Sequence, residues 1–141
     1  MPALVSPERI EEKFRRLQEY LAVLRELRGV PAQELLGDLV RLGSIKYYLQ
    51  VSIESCIDVA QHVIASEGFR PPNDYADTFT VLAERGILQR EFAERLRRMA
   101  KFRNRLVHLY GEIDDQHVVR VLVEDLGDFD LFRELILAIL K

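Results

Sequence analysis

Apolar residues recur every three or four positions along almost the whole chain, which is the spacing of amphipathic helices. The first stripe comprises Ile10, Phe14, Leu17, Leu21 and Leu24. Ser6 and Pro7 precede it and predict the start of a helix, as a capping residue followed by a proline in the first turn. Gly29 and Pro31 predict its end near Arg28.

A second, longer helix is predicted from Asp38 to near Gly68. Its main apolar stripe consists of Ile45, Leu49, Ser52, Cys56, Val59, Ala60 and Val63. Tyr48 and Val51 form a second apolar patch on another side of the same helix. A long helix that is apolar on more than one side is usually central in a bundle or buried at a subunit interface.

Helical periodicity continues to the end of the chain, with breaks at turn-forming residues. Positions 32–36 are expected to form a short turn, and the third helix is capped by Asn73 or Asp74, with Tyr75, Phe79 and Leu82 on its inner face. The fourth helix starts near Gln89 and stops at Gly111; the fifth is capped by Asp114 or Asp115 and is interrupted or bent at Gly127. The pattern predicts an all-α, up-and-down bundle of about five to six helices, in one domain over residues 1–141.

Charge is distributed unevenly. The 141 residues carry a net charge of −3, yet positions 85–105 hold eight basic and two acidic residues, +6, which leaves −9 for the rest of the chain. Such a stripe is either a solvated helix face or a local site for a phosphate chain. The single cysteine, Cys56, allows no internal disulfide, and no signal peptide or membrane span is recognised, so we expect a reducing, cytoplasmic setting.

Arg103 occupies a position where the pattern calls for an apolar side chain. At 100° per residue it lies at about 20° from Phe92, within the stripe formed by Leu96, Met99 and Leu106. A guanidinium is always charged and is seldom buried alone. It is therefore paired with a carboxylate, placed at the rim of a cleft, or directed at an anionic ligand. Glu54 and Asp58, four residues apart on the long helix, are candidate partners, or else a solvated acidic edge.

His108 lies on a different side of the same helix, at about 160°, close to the line of Asn104 and Arg97. Two geometries could unite Arg103 with His108. Either the helix unwinds before Gly111, or a two-fold dimer gathers both copies of the segment in one cleft.

A histidine with an arginine and no metal ligands suits RNA cleavage. Histidine moves protons near neutral pH, arginine stabilises charge on a phosphoryl group, and RNA supplies its own nucleophile, the 2′-OH. The sequence has no nucleophile elbow and no phosphate-binding glycine loop, and its three histidines lack metal-ligand spacing, so neither cofactor nor metal is expected. His62 and His117 are interpreted as structural or solvent-exposed.

The motif Arg-x4-His-x-Tyr, from Arg103 through His108 to Tyr110, resembles that of the HEPN superfamily, and within it the HepT-type toxins of prokaryotic toxin–antitoxin pairs. Residues 48–62, 72–79 and 82–88 are similar to further segments of that family. The resemblance implies an all-α homodimer with the motifs of both protomers in a shared cleft. It also implies a metal-independent endoribonuclease in which Arg103 and His108 are catalytic and Asn104 supports them.

The resemblance further implies a partner, a MntA-type minimal nucleotidyltransferase antitoxin that adds AMP to Tyr110 and silences the toxin. Glu54, Asp58 and Arg97 are accessory candidates only because of the faces they share. Two other interpretations remain open. One is a non-catalytic helical subunit that binds a nucleotidyltransferase and presents Arg103 to a nucleotide. The other is a purely structural bundle in which Glu54 or Asp58 satisfies Arg103.

Overall fold

Seven α-helices account for most of the chain in the computed structural model, which describes residues 6–109 and 112–140. They are α1 (Pro7–Arg28), α2 (Ala32–Leu36), α3 (Leu39–Glu67), α4 (Tyr75–Glu84), α5 (Arg90–His108), α6 (Asp115–Glu124) and α7 (Leu126–Ile139). No strand occurs among these residues. The predicted all-α class is confirmed, and the helix count is slightly higher than predicted.

Two local differences account for the higher count. Residues Ala32–Leu36 form a short helix rather than a turn. The break between the last two helices falls at Asp125 instead of Gly127, and Gly127 lies in the first turn of α7. A glycine inside a helix costs only about 1 kcal/mol relative to alanine, so Gly127 does not by itself interrupt the helix.

Helix α3 is the centre of the bundle and packs against each of the other six described helices. Asp38 caps its N-terminus by accepting a hydrogen bond from the backbone N–H of Arg41. Gly68 ends it in the left-handed conformation, φ 71°, which glycine adopts at little cost. Cys56 is buried on α3, as predicted. None of the described helices is long and apolar enough to cross a membrane.

A cluster of three aromatic rings joins the first, fourth and last helices. The ring of Phe132 on α7 meets Phe14 of α1 and Phe79 of α4 edge to face, at centroid distances of 6.2 and 5.9 Å. All three side chains are almost fully buried. Such contacts add to the burial of apolar area and hold α4 against the body of the bundle.

The start of α4 is fixed by polar contacts. Asp74 is its capping residue and accepts a 2.7 Å hydrogen bond from the backbone N–H of Asp77. Arg70, in the preceding loop, donates to Asp77 and to Glu84 at 2.8 Å each. The loop is thereby held along α4.

Tyr75, the first residue of α4, differs from the prediction. It is 42% exposed, whereas Phe79 and Leu82 are buried as expected. The helical spacing correctly places the three residues on one stripe. The first turn of α4, however, extends past the edge of the core, so Tyr75 remains at the surface beside α5.

The contacts of Arg70 predict a pH-dependent contribution to stability. Arg70, and then the backbone N–H of Asn73, lower the pKa of Asp77 from its ordinary 3.8 to about 2. Because this pKa is lower in the folded state, the stabilisation is complete above about pH 4 and is lost as the pH falls towards about 2. Arg70→Gln is therefore expected to lower the Tm at neutral pH, by an amount that shrinks over this range.

Thermal unfolding followed by circular dichroism measures the effect. Arg28→Gln is the control, because Arg28 forms no ion pair within residues 6–109 and 112–140. A Tm difference between Arg70→Gln and the wild type that stays constant with pH would contradict the prediction.

Candidate active site

Arg103 lies on the inward side of α5 and pairs with Glu54 of the central helix. Its Nε and Nη2 atoms donate to Glu54 Oε2 at 2.8 and 2.6 Å. The side chains of Arg103 and Glu54 are 16% and 30% exposed. Of the alternatives left open for Arg103 by the sequence, pairing with a carboxylate is the one observed.

Both hydrogen bonds from Arg103 use the same carboxylate oxygen. Glu54 Oε2 also accepts from Gln50 Nε2 at 3.2 Å, whereas Oε1 accepts no hydrogen bond from the described part of the chain. On the other side of the guanidinium, Arg103 Nη1 donates to Asn104 Oδ1 at 3.2 Å. The guanidinium is therefore held in one orientation by two different helices' worth of contacts, α3 and α5.

Tyr75 completes the surroundings of Arg103. Its ring centroid lies 5.1 Å from the guanidinium carbon, which is the distance of a cation–π contact. Together with Glu54, Ile57 and Asp58, these two residues line a cavity of about 250 Å³. Sequence reasoning missed Tyr75 as a site residue. Its place directly after the Asp74 cap, within the segment 72–79 that resembles the family, was the available signal.

The two remaining accessory candidates are placed differently. Asp58 lines the same cavity as Arg103 but pairs with Lys13 of α1 at 3.4 Å and is half exposed. Arg97 donates to Thr80 of α4 at 2.6 Å and approaches Glu94 at 3.5 Å. Glu54 and Asp58 are thus brought to Arg103, whereas Arg97 contacts α4 and lines a separate groove.

His108 is the last residue of α5 and is exposed. Its side chain makes no hydrogen bond or ion pair with residues 6–109 or 112–140. The helix stays regular to its end, because the Leu109 N–H still donates to the Arg105 carbonyl at 2.9 Å. His108 is therefore not swung towards Arg103 within one chain. Tyr110 and Gly111 lie outside the described residues.

The other two histidines pack against the scaffold. His62 Nε2 accepts a 3.1 Å hydrogen bond from the backbone N–H of Ser6, and partial burial, with the charges of Arg9 and Lys13, lowers its pKa. The ring of His117 lies 5.0 Å from that of Phe102. No group of three or more His, Cys, Asp or Glu side chains among the described residues could hold a metal ion.

Comparison with known proteins supports the resemblance seen in the sequence. A family model described as "Ribonuclease HepT-like" matches residues 11–136. The chain belongs to this HepT-like family. The match extends from α1 into α7 and so includes every element that contributes to the candidate site.

Individual members of the family agree with this assignment. The mRNA nuclease HepT of Shewanella oneidensis is 33% identical over 101 residues, which cover 72% of this chain and 76% of that protein. A chain from a solved toxin–antitoxin structure with AMP-PNP superposes with a TM-score of 0.86 at 27% identity, over 92% of this chain and 97% of that one.

A second solved structure contains the tri-AMPylated Shewanella oneidensis HEPN toxin in complex with its MNT antitoxin. The matched chain superposes with a TM-score of 0.85 at 28% identity, over 92% of this chain and 96% of that one. The fold around Arg103 is therefore that of HepT-like chains seen with an antitoxin.

The contact between Arg103 and Glu54 predicts energetic coupling. Glu54→Gln and Arg103→Gln should each lower the free energy of unfolding, because each leaves a largely buried partner incompletely paired. The double variant should lose less than the sum, with a coupling of about 1 kcal/mol. Urea denaturation at neutral pH measures all four proteins.

The exposed pair between Lys13 and Asp58 is a matched control, since Asp58 is on the same helix as Glu54. Its cycle should show little coupling, because solvent screens exposed ion pairs. Strictly additive effects for Glu54 and Arg103 would mean that their pair is absent in solution.

Proposed function

We propose that this chain is the toxin of a toxin–antitoxin pair and an endoribonuclease that acts as a homodimer, with residues 1–141 as one HepT-like domain. The observation that carries the proposal is an arginine fixed at the rim of a cavity with an exposed histidine on the same helix, in a chain of the Ribonuclease HepT-like family. The Shewanella relative is an mRNA nuclease, which makes RNA the substrate class to test first.

The chemistry requires few groups. The 2′-OH of RNA attacks the adjacent phosphorus, the bond from phosphorus to the 5′-oxygen breaks, and a 2′,3′-cyclic phosphate and a 5′-OH form. His108 takes the proton from the 2′-OH or supplies one to the departing 5′-oxygen. Arg103, oriented by Glu54 and Asn104, stabilises the charge that develops on the phosphoryl oxygens. Because the nucleophile is internal and the counter-charge is an arginine, the step needs no metal ion.

The geometry of α5 favours a site shared by two copies. Since α5 is regular through His108, Arg103 and His108 point about 140° apart around the helix. A two-fold partner can present its own motif to the same phosphate. Val40 and Tyr47 are exposed on α3, 79% and 55%, and share a stripe with Val51 and Glu54. An exposed apolar strip leading to the site is what such an interface needs.

The inhibitory partner we infer is a MntA-type nucleotidyltransferase that adds AMP to Tyr110. Support comes from the tri-AMPylated relative in complex with an MNT antitoxin. Tyr110 is two residues after His108 in the sequence. An adenylate there brings an anionic phosphate beside the catalytic histidine, where it competes with RNA for Arg103 and blocks the cleft.

Replacement of His108 tests the proposed nuclease. His108→Ala should reduce cleavage of single-stranded RNA by about 100-fold or more, the usual contribution of a general acid or base. Its Tm should not change, because His108 is exposed at the end of α5. Cleavage by the wild type should persist in EDTA.

His62→Ala is the control for this experiment, since it removes a histidine that contacts Ser6 rather than the site. Its cleavage per folded molecule should match the wild type. Undiminished cleavage by His108→Ala would exclude His108 from the reaction.

A second candidate function is a non-catalytic subunit that binds a nucleotidyltransferase and presents Arg103 to a nucleotide. The observation that favours it is the pairing of Arg103 with Glu54, which already neutralises the cation. Equal and undetectable cleavage by the wild type and by His108→Ala, together with tight binding of the nucleotidyltransferase, would select this function.

Mass spectrometry tests the proposed modification. Co-expression with the nucleotidyltransferase partner should raise the intact mass of the protein in steps of one AMP. Tyr110→Phe should abolish the addition, because it removes the accepting phenol oxygen. Tyr20→Phe, on α1, is the control and should be modified like the wild type. Unchanged additions on Tyr110→Phe would assign the modification to another residue.

A further inference from the structure

A basic groove lies on the opposite side of α5 from Arg103. It is lined by Arg98, Lys101, Phe102 and Arg105 of α5 and by His117 and Val121 of α6, and its volume is about 520 Å³. We call it the α5 groove. Asp125 and Asp128 stand at its other end, beside Arg95. The groove is therefore basic towards the C-terminus of α5 and acidic towards α7.

The cations of the α5 groove are not neutralised by the scaffold. Arg95 pairs with Asp128, as Arg103 does with Glu54. Arg98, Lys101 and Arg105 form no ion pair with any carboxylate of residues 6–109 or 112–140. Like charges four apart on a helix, such as Lys101 and Arg105, destabilise it. Helix stability therefore does not explain their placement, whereas an anionic ligand does.

The groove also offers flat rings and planes beside these cations. His117 lies 5.0 Å from Phe102, and the Arg105 guanidinium lies 5.7 Å from the same ring. Burial, followed by the charges of Arg105 and Arg120, lowers the pKa of His117. Its ring is thus uncharged near neutral pH. Unstacked bases of single-stranded RNA stack on such imidazole rings and guanidinium planes.

The groove is continuous with the proposed catalytic histidine. Lys101, Arg105 and His108 are spaced by four and three residues, so they form one stripe along the exposed side of α5. At a rise of 1.5 Å per residue the stripe is about 10 Å long. A strand with its scissile phosphate at His108 can continue directly into the groove.

We propose that the α5 groove binds the single-stranded RNA that flanks the scissile phosphate, with backbone phosphates at Lys101 and Arg105 and a base against His117. The choice of RNA as occupant rests on the proposed nuclease function. An acidic protein surface is the competing occupant. It is less well matched, because a concave site with stacking planes beside its cations fits a nucleotide chain better than a flat acidic patch.

A binding assay with an uncleavable probe tests the groove. The probe is a fluorescent 2′-O-methyl oligouridylate of about 12 nucleotides, which lacks the free 2′-OH and cannot be cut. Lys101→Gln/Arg105→Gln is compared with Arg9→Gln/Arg28→Gln on α1, which removes the same two charges outside the groove. Fluorescence anisotropy gives Kd over a range of salt concentrations.

The groove variant should bind about 10-fold more weakly than the wild type, and its plot of log K against log salt should be shallower by about 1.4, the slope of two lost phosphate contacts on a single strand. The α1 variant should retain the wild-type slope. Equal effects of the two variants, or no binding by the wild type, would overturn the proposal. So would loss of antitoxin binding by the groove variant with RNA binding intact, which would assign the groove to the protein partner.

Cleavage assays separate this inference from the proposed function. A dinucleotide substrate spans only the scissile phosphate and does not reach the groove, so the groove variant should cleave it like the wild type. If no protein cleaves any RNA but probe binding depends on the groove, the nuclease proposal fails and the groove stands. If RNA is cleaved and the two double variants bind the probe alike, the groove proposal fails alone.

Discussion

A permanently charged guanidinium on the apolar side of α5 is the constraint on which the site depends. Arg103 is 16% exposed, so its charge requires a partner from the helix it faces, and Glu54 of α3 supplies it. The pair fixes α5 against the central helix at one register. It also opens the cavity in which Tyr75 covers one side of the guanidinium.

The same pair defines what the proposed reaction must do. Glu54 holds Arg103 through one carboxylate oxygen, and Asn104 holds Nη1 from the other side. The guanidinium is oriented in advance but its charge is largely compensated. A phosphate must therefore share Arg103 with Glu54 or displace it. Pre-orientation lowers the entropic cost of binding the transition state, while competition with Glu54 weakens binding of the ground state.

The sequence allowed the helical class, the central position of α3 and the need of Arg103 for a carboxylate to be predicted, because all three follow from local spacing. It could not choose between Glu54 and Asp58, which share a face and differ by one turn, since the choice depends on where α5 crosses α3. Tyr75 was misplaced for a related reason: a helical wheel gives the direction of a side chain but not the point at which the core ends.

Helix α5 combines two functions on opposite sides. Its inner side anchors Arg103 to Glu54, while its outer side presents Lys101, Arg105 and His108 to solvent. The charge outside positions 85–105 sums to −9, so RNA is repelled by most of the surface and attracted along this stripe. An acidic protein can then bind a polyanion at one place only. In the proposed dimer that place leads to the cleft in which the Arg103 of one copy and the His108 of the other meet.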